Sequence, residues 1–211
     1  VLVAEQVAQL DSKDMDFEVW TRLVQRCTAH LADPLVAGIV ITHGTDTLEE
    51  TAWLLHQLLD ASRPVVLTCA MRPATALVPD GPQNLLDAVT LAAHPAARGV
   101  LLVAAGRVHG AREVSKVHPL RLDAFESGDT GPLGWVEAGR VRWAHGQAPL
   151  AAVPTHAALV PALDSAPWPR VEIVLSHAGT DGVLVDWAVQ GGARGIVVAA
   201  TGDGTLHHAL E

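Results

Sequence analysis

A short apolar run that leads through a polar turn into an amphipathic helix constrains this chain most. Residues 37–42 are rich in β-branched side chains, as in a buried strand. Leu48, Ala52, Leu55 and Leu59 then recur at helical spacing. The turn between them contains an imidazole, two hydroxyls and a carboxylate. Because open α/β sheets place ligands at the carboxyl ends of their strands, we expect a site at this turn.

Two further apolar runs, residues 65–70 and 99–105, predict buried strands. The predicted helices cover residues 17–32, 48–59 and 84–93. Alternating helices and continuously apolar strands predict an α/β fold with a mostly parallel sheet flanked by helices. Right-handed crossovers would place the loops that follow residues 42 and 70 at the same edge of that sheet.

Other stretches carry weaker signals. Residues 1–10 are apolar enough to predict a strand, and Ser12 or Asp14 is the predicted cap of the first helix. Residues 107–127 read as a polar loop. The two short β-rich runs around Ala138-Gly139 predict a hairpin.

Proline and alanine dominate a stretch near residue 150, which we interpret as a linker between domains. The predicted organisation is an N-terminal α/β domain over residues 1–148, a linker at 149–168 and a partial second α/β domain at 169–211. In the second domain we expect two strands, a helix between them and a further helix from about residue 206.

Composition excludes some functions. The formal net charge of −9 argues against binding nucleic acid, and no apolar run reaches the ~18 residues that a membrane span needs. Cys27 and Cys69 are too few for a disulfide framework, so we expect two buried thiols. The chain begins at Val1, with residues that look internal. We predict a cytoplasmic location, with a periplasmic one open.

Taken alone, the central turn has two interpretations. The Thr45 and Thr47 hydroxyls beside Asp46 could polarise a carbonyl group or orient a water molecule. The turn alone favours a structural interpretation, because Thr47 and Glu50 have the spacing of a helix-capping box and Asp46 suits the positive end of a helix. His43 would ordinarily be a buried, hydrogen-bonded imidazole. Lys116 could accept a proton if desolvated, although most lysines in polar loops are simply solvated.

Metal and nucleotide cofactors are not indicated. His207 and His208 are adjacent, and no cysteine or histidine cluster has zinc spacing. The glycine-rich turn at residues 201–205 matches neither a Walker loop nor a dinucleotide fingerprint. Arg107, His109 and Arg112 would lie on the surface, with anion binding a weaker alternative. The sequence patterns therefore predict neither a metal nor a nucleotide cofactor.

Taken together, these stretches resemble the bacterial-type L-asparaginases. The resemblance starts with Thr42-His43-Gly44-Thr45-Asp46-Thr47 and continues in order along nearly the whole chain. The matching segments are residues 39–52, 64–67, 70–75, 80–85, 99–103, 113–116, 122–125, 131–134, 195–198 and 202–204. The family implies a cofactor-free amidohydrolase that converts asparagine to aspartate and ammonia, often with some glutamine turnover.

The resemblance also implies roles for individual residues. Thr45, Asp46 and Lys116 match the family's catalytic hydroxyl, carboxylate and amine. Substrate-binding positions match four residues: Ser12, Lys13, Gly44 and Ala70. The family implies a small amino-acid amide as substrate and a homo-oligomer, either a dimer or a tetramer.

Several departures accompany the match. The family's second catalytic threonine and its tyrosine loop have no counterpart after Val1, so we expect these 211 residues by themselves to be inactive. Lys13 stands where many members have glutamine, and Gly179 replaces an asparagine found in some. Two other functions stay open: the ammonia-producing subunit of a tRNA-dependent amidotransferase, and a catalytically inactive paralogue with a binding or assembly role.

Overall fold

A computed structural model describes residues 1–145, 156–165 and 167–211. The chain divides into two compact units, Val1–Ala162 and Leu163–Glu211. This division falls within the stretch predicted as a linker, part of which lies outside the described residues.

The first unit contains three helices, α1 (Phe17–Ala32), α2 (Leu48–Leu58) and α3 (Gly81–Ala92). Its strands are β1 (Ile39–Thr42), β2 (Val65–Thr68), β3 (Val100–Ala104), β4 (Arg107–Gly110), β5 (Ser115–Lys116), β6 (Phe125–Glu126), β7 (Gly134–Glu137) and β8 (Arg140–Trp143). Six of them form one sheet in the order β1-β2-β3-β4-β7-β8. The strands β5 and β6 form a separate antiparallel pair.

The sheet is mixed, with one parallel half and one antiparallel half. The strands β1, β2 and β3 run parallel, which confirms the predicted α/β fold. The strands β4, β7 and β8 continue the sheet in antiparallel fashion. Residues 107–127 are therefore not all loop, because this stretch contributes β4, β5 and β6. The predicted hairpin is present, with Ala138 and Gly139 both at positive φ, as a tight two-residue turn requires.

The core lies where the apolar strands meet the helices. The strand residues Val66, Leu101 and Val103 pack in one buried cluster with Ala88 and Leu91 of α3. Leu48 and Leu55 of α2 are also fully buried. The parallel strands are continuously apolar because helices bury both faces of this half of the sheet.

A buried amide holds the carboxyl edge of the sheet together. The side-chain nitrogen of Asn84 donates to the Cys69 carbonyl at 2.9 Å and to Asp80 at 3.2 Å. Its side-chain oxygen accepts the Ala105 N–H at 3.0 Å. Asp80 in turn accepts the backbone N–H groups of Met71 and Arg72. The loop after β2 is therefore anchored to the first turn of α3.

The N-terminal predictions need correction. Residues 1–10 form neither helix nor strand, since no strand within the described residues pairs with them. The cap of α1 is Asp16, whose carboxylate accepts the Val19 N–H at 2.8 Å, rather than Ser12 or Asp14. The other end of α1 is closed by Arg63, whose guanidinium donates to the Leu31 carbonyl and, at 2.6 Å, to that of Asp33.

The second unit is a small parallel α/β element. Strands β9 (Val171–Leu175) and β10 (Gly195–Ala199) pair in parallel, and helix α4 (Val183–Gln190) connects them. Among the described residues of this unit, Val174 and Ala188 are the buried apolar ones. The helix predicted from about residue 206 is only a short 3-10 turn, His208–Leu210.

Both cysteines are buried free thiols, as predicted. Burial raises the pKa of Cys27 and of Cys69 to about 12, so neither is a nucleophile near neutral pH. Within the described residues, no helix is long and apolar enough to cross a membrane. The same residues contain no group of three or more histidine, cysteine, aspartate or glutamate side chains placed to hold a metal ion.

Candidate active site

The polar turn lies at the carboxyl end of β1, as expected. The His43 N–H donates to the Thr68 carbonyl of β2 at 2.9 Å, so the turn stays attached to the sheet after β1 ends. Helix α2 begins at Leu48, directly after the turn. Thr45 and Asp46 are thus presented between a rigid strand and a rigid helix.

Lys116 reaches this turn from the separate pair of strands. Its Nζ lies 2.8 Å from Thr45 Oγ1 and 2.8 Å from Asp46 Oδ1. The Lys116 side chain is only 19% exposed, whereas that of Asp46 is 52% exposed. The structure therefore brings a hydroxyl, an amine and a carboxylate together at one position, where the carboxylate is open to solvent.

Ser12 supports the same turn from the other side. It is 4% exposed, and its Oγ accepts the Asp46 N–H at 3.1 Å. The Thr47 hydroxyl donates to the Ser12 carbonyl at 2.8 Å. The predicted capping box is consequently wrong, because Thr47 caps no helix N–H among the described residues and uses its hydroxyl to hold Ser12.

Close approach of Ser12 explains why position 44 is a glycine. A Cβ atom on Gly44 would lie 2.4 Å from Ser12 Oγ and 2.7 Å from Ser12 Cβ. These distances are far inside van der Waals contact. The turn and the segment that carries Ser12 can pack together only when residue 44 has no side chain.

His43 is hydrogen-bonded at both ring nitrogens. Its Nδ1 lies 2.7 Å from the Gly44 carbonyl, and its Nε2 lies 3.0 Å from Thr51 Oγ1. The carbonyl can only accept, which assigns the proton to Nδ1 in the neutral ring. Thr51 also accepts the Trp20 indole N–H at 2.8 Å. Burial lowers the pKa of His43, consistent with a neutral structural imidazole.

Two other predicted binding residues make no hydrogen bond to Thr45, Asp46 or Lys116 among the described contacts. Lys13 is 64% exposed, and its amine pairs with Asp11 at 2.9 Å, which raises the pKa of Lys13. The Asp46 charge contributes to the same shift in smaller measure. Ala70 is exposed and lines a shallow cavity of about 120 Å³ in the loop after β2.

Two residues were missed by reasoning from sequence. Glu49, in the first turn of α2, accepts hydrogen bonds from the Lys116 N–H and from the Ser115 hydroxyl. Its position three residues after Asp46 was the available signal. His109, expected at the surface, is only 1% exposed, because β4 lies inside the sheet between β3 and β7.

The geometry suits acyl-transfer or hydrolytic chemistry. A hydroxyl within hydrogen-bond reach of an amine can lose its proton to that amine when the amine is neutral. A carboxylate beside the amine stabilises the ammonium that results.

Comparison with known proteins decides the family. Residues 1–149 match the family model described as Asparaginase, N-terminal. The chain belongs to the asparaginase family. This result confirms the resemblance seen in the sequence.

Curated asparaginase relatives align along nearly the whole chain. L-asparaginase 2 of Bacillus subtilis is 37% identical over 209 residues, covering 98% of this chain and 55% of that protein. L-asparaginase 2 of Escherichia coli is 35% identical over 210 residues, covering 98% and 58%. The glutaminase-asparaginase of Pseudomonas fluorescens is 37% identical over 205 residues, covering 96% and 55%. The chain spans about half the length of the curated relatives it matches.

A solved structure shows the same fold. The probable cytoplasmic L-asparaginase of Campylobacter jejuni superposes with a TM-score of 0.86 at 36% identity, covering 98% of this chain and 65% of that one. A relative from Haemophilus influenzae is instead named a probable periplasmic L-asparaginase. Asparaginases of both compartments thus resemble this chain, and a cytoplasmic location stays a prediction.

Proposed function

We propose that the protein hydrolyses the side-chain amide of L-asparagine to L-aspartate and ammonia, with L-glutamine as a second substrate. One observation carries the proposal: Lys116 Nζ lies 2.8 Å from both Thr45 Oγ1 and Asp46 Oδ1. Membership of the asparaginase family supports it, as do relatives named for asparagine and glutamine hydrolysis.

In the proposed mechanism, Lys116 and Thr45 share a proton. Neutral Lys116 accepts the Thr45 hydroxyl proton while Thr45 Oγ1 takes the proton of an attacking hydroxyl, whose oxygen bonds to the amide carbon. The ammonium of Lys116, stabilised by Asp46, then gives its proton to the amide nitrogen, and the C–N bond breaks to release ammonia. Water hydrolyses the resulting ester: its OH completes the acid product, and its other hydrogen returns to the oxygen of the attacking hydroxyl.

Substrate binding is proposed for the residues around this group. The Ser12 hydroxyl accepts the Asp46 N–H through its oxygen, so its hydrogen can be donated to a substrate carboxylate. Gly44 lets Ser12 pack directly against the turn, and Ala70 lines the cavity in the loop after β2. Lys13 would attract the carboxylate from the exposed rim. We propose no metal or organic cofactor, and a homo-oligomer as the working form.

The test is ammonia release from L-asparagine and L-glutamine by the intact gene product. Thr45→Val should abolish release, whereas Thr90→Val, which removes an exposed hydroxyl of α3, should not. Binding of asparagine without hydrolysis would favour an inactive paralogue. Ammonia production that requires a partner protein and aminoacyl-tRNA would instead favour an amidotransferase subunit.

A further inference from the structure

Lys116 makes close polar contacts with the turn, but it lies on a very short strand. Its strand, β5, has two residues and pairs only with the equally short β6 among the described strands. Neither strand belongs to the six-stranded sheet that carries Thr45 and Asp46. Two residues before Lys116, the Val114 N–H donates to the Gly110 carbonyl of β4 at 3.2 Å. A contact from the turn to β5 would add to this link and fix the distance between the Lys116 backbone and the turn.

We infer that Glu49 is the positioning residue for Lys116. Its Oε2 accepts the Lys116 N–H, and its Oε1 lies 3.4 Å from Ser115 Oγ. One carboxylate of α2 thus contacts both residues of β5. Hydrogen bonds to an ionised acceptor are stronger than neutral ones, so this contact is suited to fixing a short strand.

The position of Glu49 along the chain makes this connection effective. Glu49 lies three residues after Asp46, in the first turn of α2. The same rigid segment therefore presents Asp46 to the Lys116 amine and Glu49 to the Lys116 backbone. The amine and the backbone of Lys116 are therefore both held by the start of α2. This fixes the distance between Nζ and Thr45.

A general effect of negative charge at the helix start is the competing explanation. Acidic side chains in the first turn stabilise any helix, and α2 has two, Glu49 and Glu50. Glu50 is exposed and carries the same charge at the same helix end. Glu50→Ala is therefore the matched control, because it removes an equal charge without touching β5 in the described contacts.

Amine labelling reads the position of Lys116 directly. Lysine occurs in this chain only at positions 13 and 116. A brief pulse of acetic anhydride followed by mass spectrometry gives the modification rate of Lys116 relative to Lys13. We expect Glu49→Ala to raise this ratio several-fold and Glu50→Ala to leave it unchanged. Glu49→Gln, whose amide oxygen can still accept the Lys116 N–H, should restore most of the protection.

Activity provides a second reading, which rests on the proposed function. Glu49→Ala should lower kcat about 10- to 100-fold, as expected for a misplaced catalytic group, with KM changing much less. Equal labelling ratios and equal kcat in the Glu49→Ala and Glu50→Ala variants would overturn the inference. If the intact gene product without substitutions hydrolyses neither amide, the proposed function fails, and the labelling ratio still decides the role of Glu49.

Discussion

Lys116 Nζ lies 2.8 Å from Thr45 Oγ1, although 71 positions separate the two residues in the chain. The contact joins a two-residue strand to the turn after β1. A proton can pass directly between an amine and a hydroxyl at this distance. The same amine contacts Asp46, so the three groups form one polar unit.

Removing the amine should remove most activity. For Lys116→Met we expect kcat/KM with asparagine to fall about 10²- to 10⁴-fold, the usual range for loss of a general acid–base group. The matched control is Arg142→Met, which removes an exposed cation that pairs with Glu137. Similar activity in the two variants would contradict the proposed role. The measurement is steady-state ammonia release by each variant. A thermal unfolding midpoint for each variant shows whether the fold is intact.

Adding one methyl group at position 44 should disrupt the turn. In Gly44→Ala the new Cβ would clash with Ser12, so either the turn or the Ser12 segment must move. Overpacking of this kind costs about 1–3 kcal/mol of unfolding free energy. Gly195→Ala in β10, whose Cβ would be 3.5 Å from Val171, should have a much smaller effect. Urea titration measures both, and equal stabilities would argue against close packing of Ser12 on the turn.

Loss of the Thr51 hydroxyl should destabilise the protein. Thr51→Val keeps the shape but leaves the Trp20 indole N–H and the His43 Nε2 without their shared partner. Trp20 and His43 are half-buried, so water can partly replace the hydroxyl, and the expected cost is about 1 kcal/mol, the lower end for an unsatisfied polar group. Thr51→Ser retains the hydroxyl and should lose less. A valine variant as stable as the serine variant in urea denaturation would show that the hydroxyl contributes little.

His109 should make the fold sensitive to acid. Its Nδ1 lies 2.8 Å from Ser127 Oγ, and its buried Nε2 has no partner among the described residues. Burial, with a smaller contribution from the Arg107 charge, lowers the pKa of His109 from 6.5 to about 4, while Glu126 opposes the shift.

The sign follows from where the proton binds. The unfolded chain takes up the His109 proton near pH 6.5, before the folded protein does, so stability falls as the pH decreases from there toward about 4. Between about pH 7.5 and pH 5 the loss should be about 2 kcal/mol. His109→Gln cannot titrate and should lose correspondingly less in urea denaturation at the two pH values. Identical losses in both proteins would exclude His109 as the source.

Local sequence pattern predicted the parallel half of the sheet well. The runs that became β1, β2 and β3 are continuously apolar, and burial on both faces leaves few alternatives for such runs. Strand β4 was missed because Arg107 and His109 make it look polar. The pairing of β4 with β3 and β7 buries His109. This pairing depends on how distant strands assemble, which the local sequence pattern does not report.

The sequence by itself determined the α/β class, the polar turn after β1 and, through an ordered series of motifs, the asparaginase family. Tertiary structure decided which contacts the side chains make. Thr47 holds Ser12 instead of capping a helix, and Glu49 holds β5 instead of only facing solvent. The physical reason is that local patterns report backbone preference and burial, whereas a hydrogen bond between distant residues depends on how strands and helices pack.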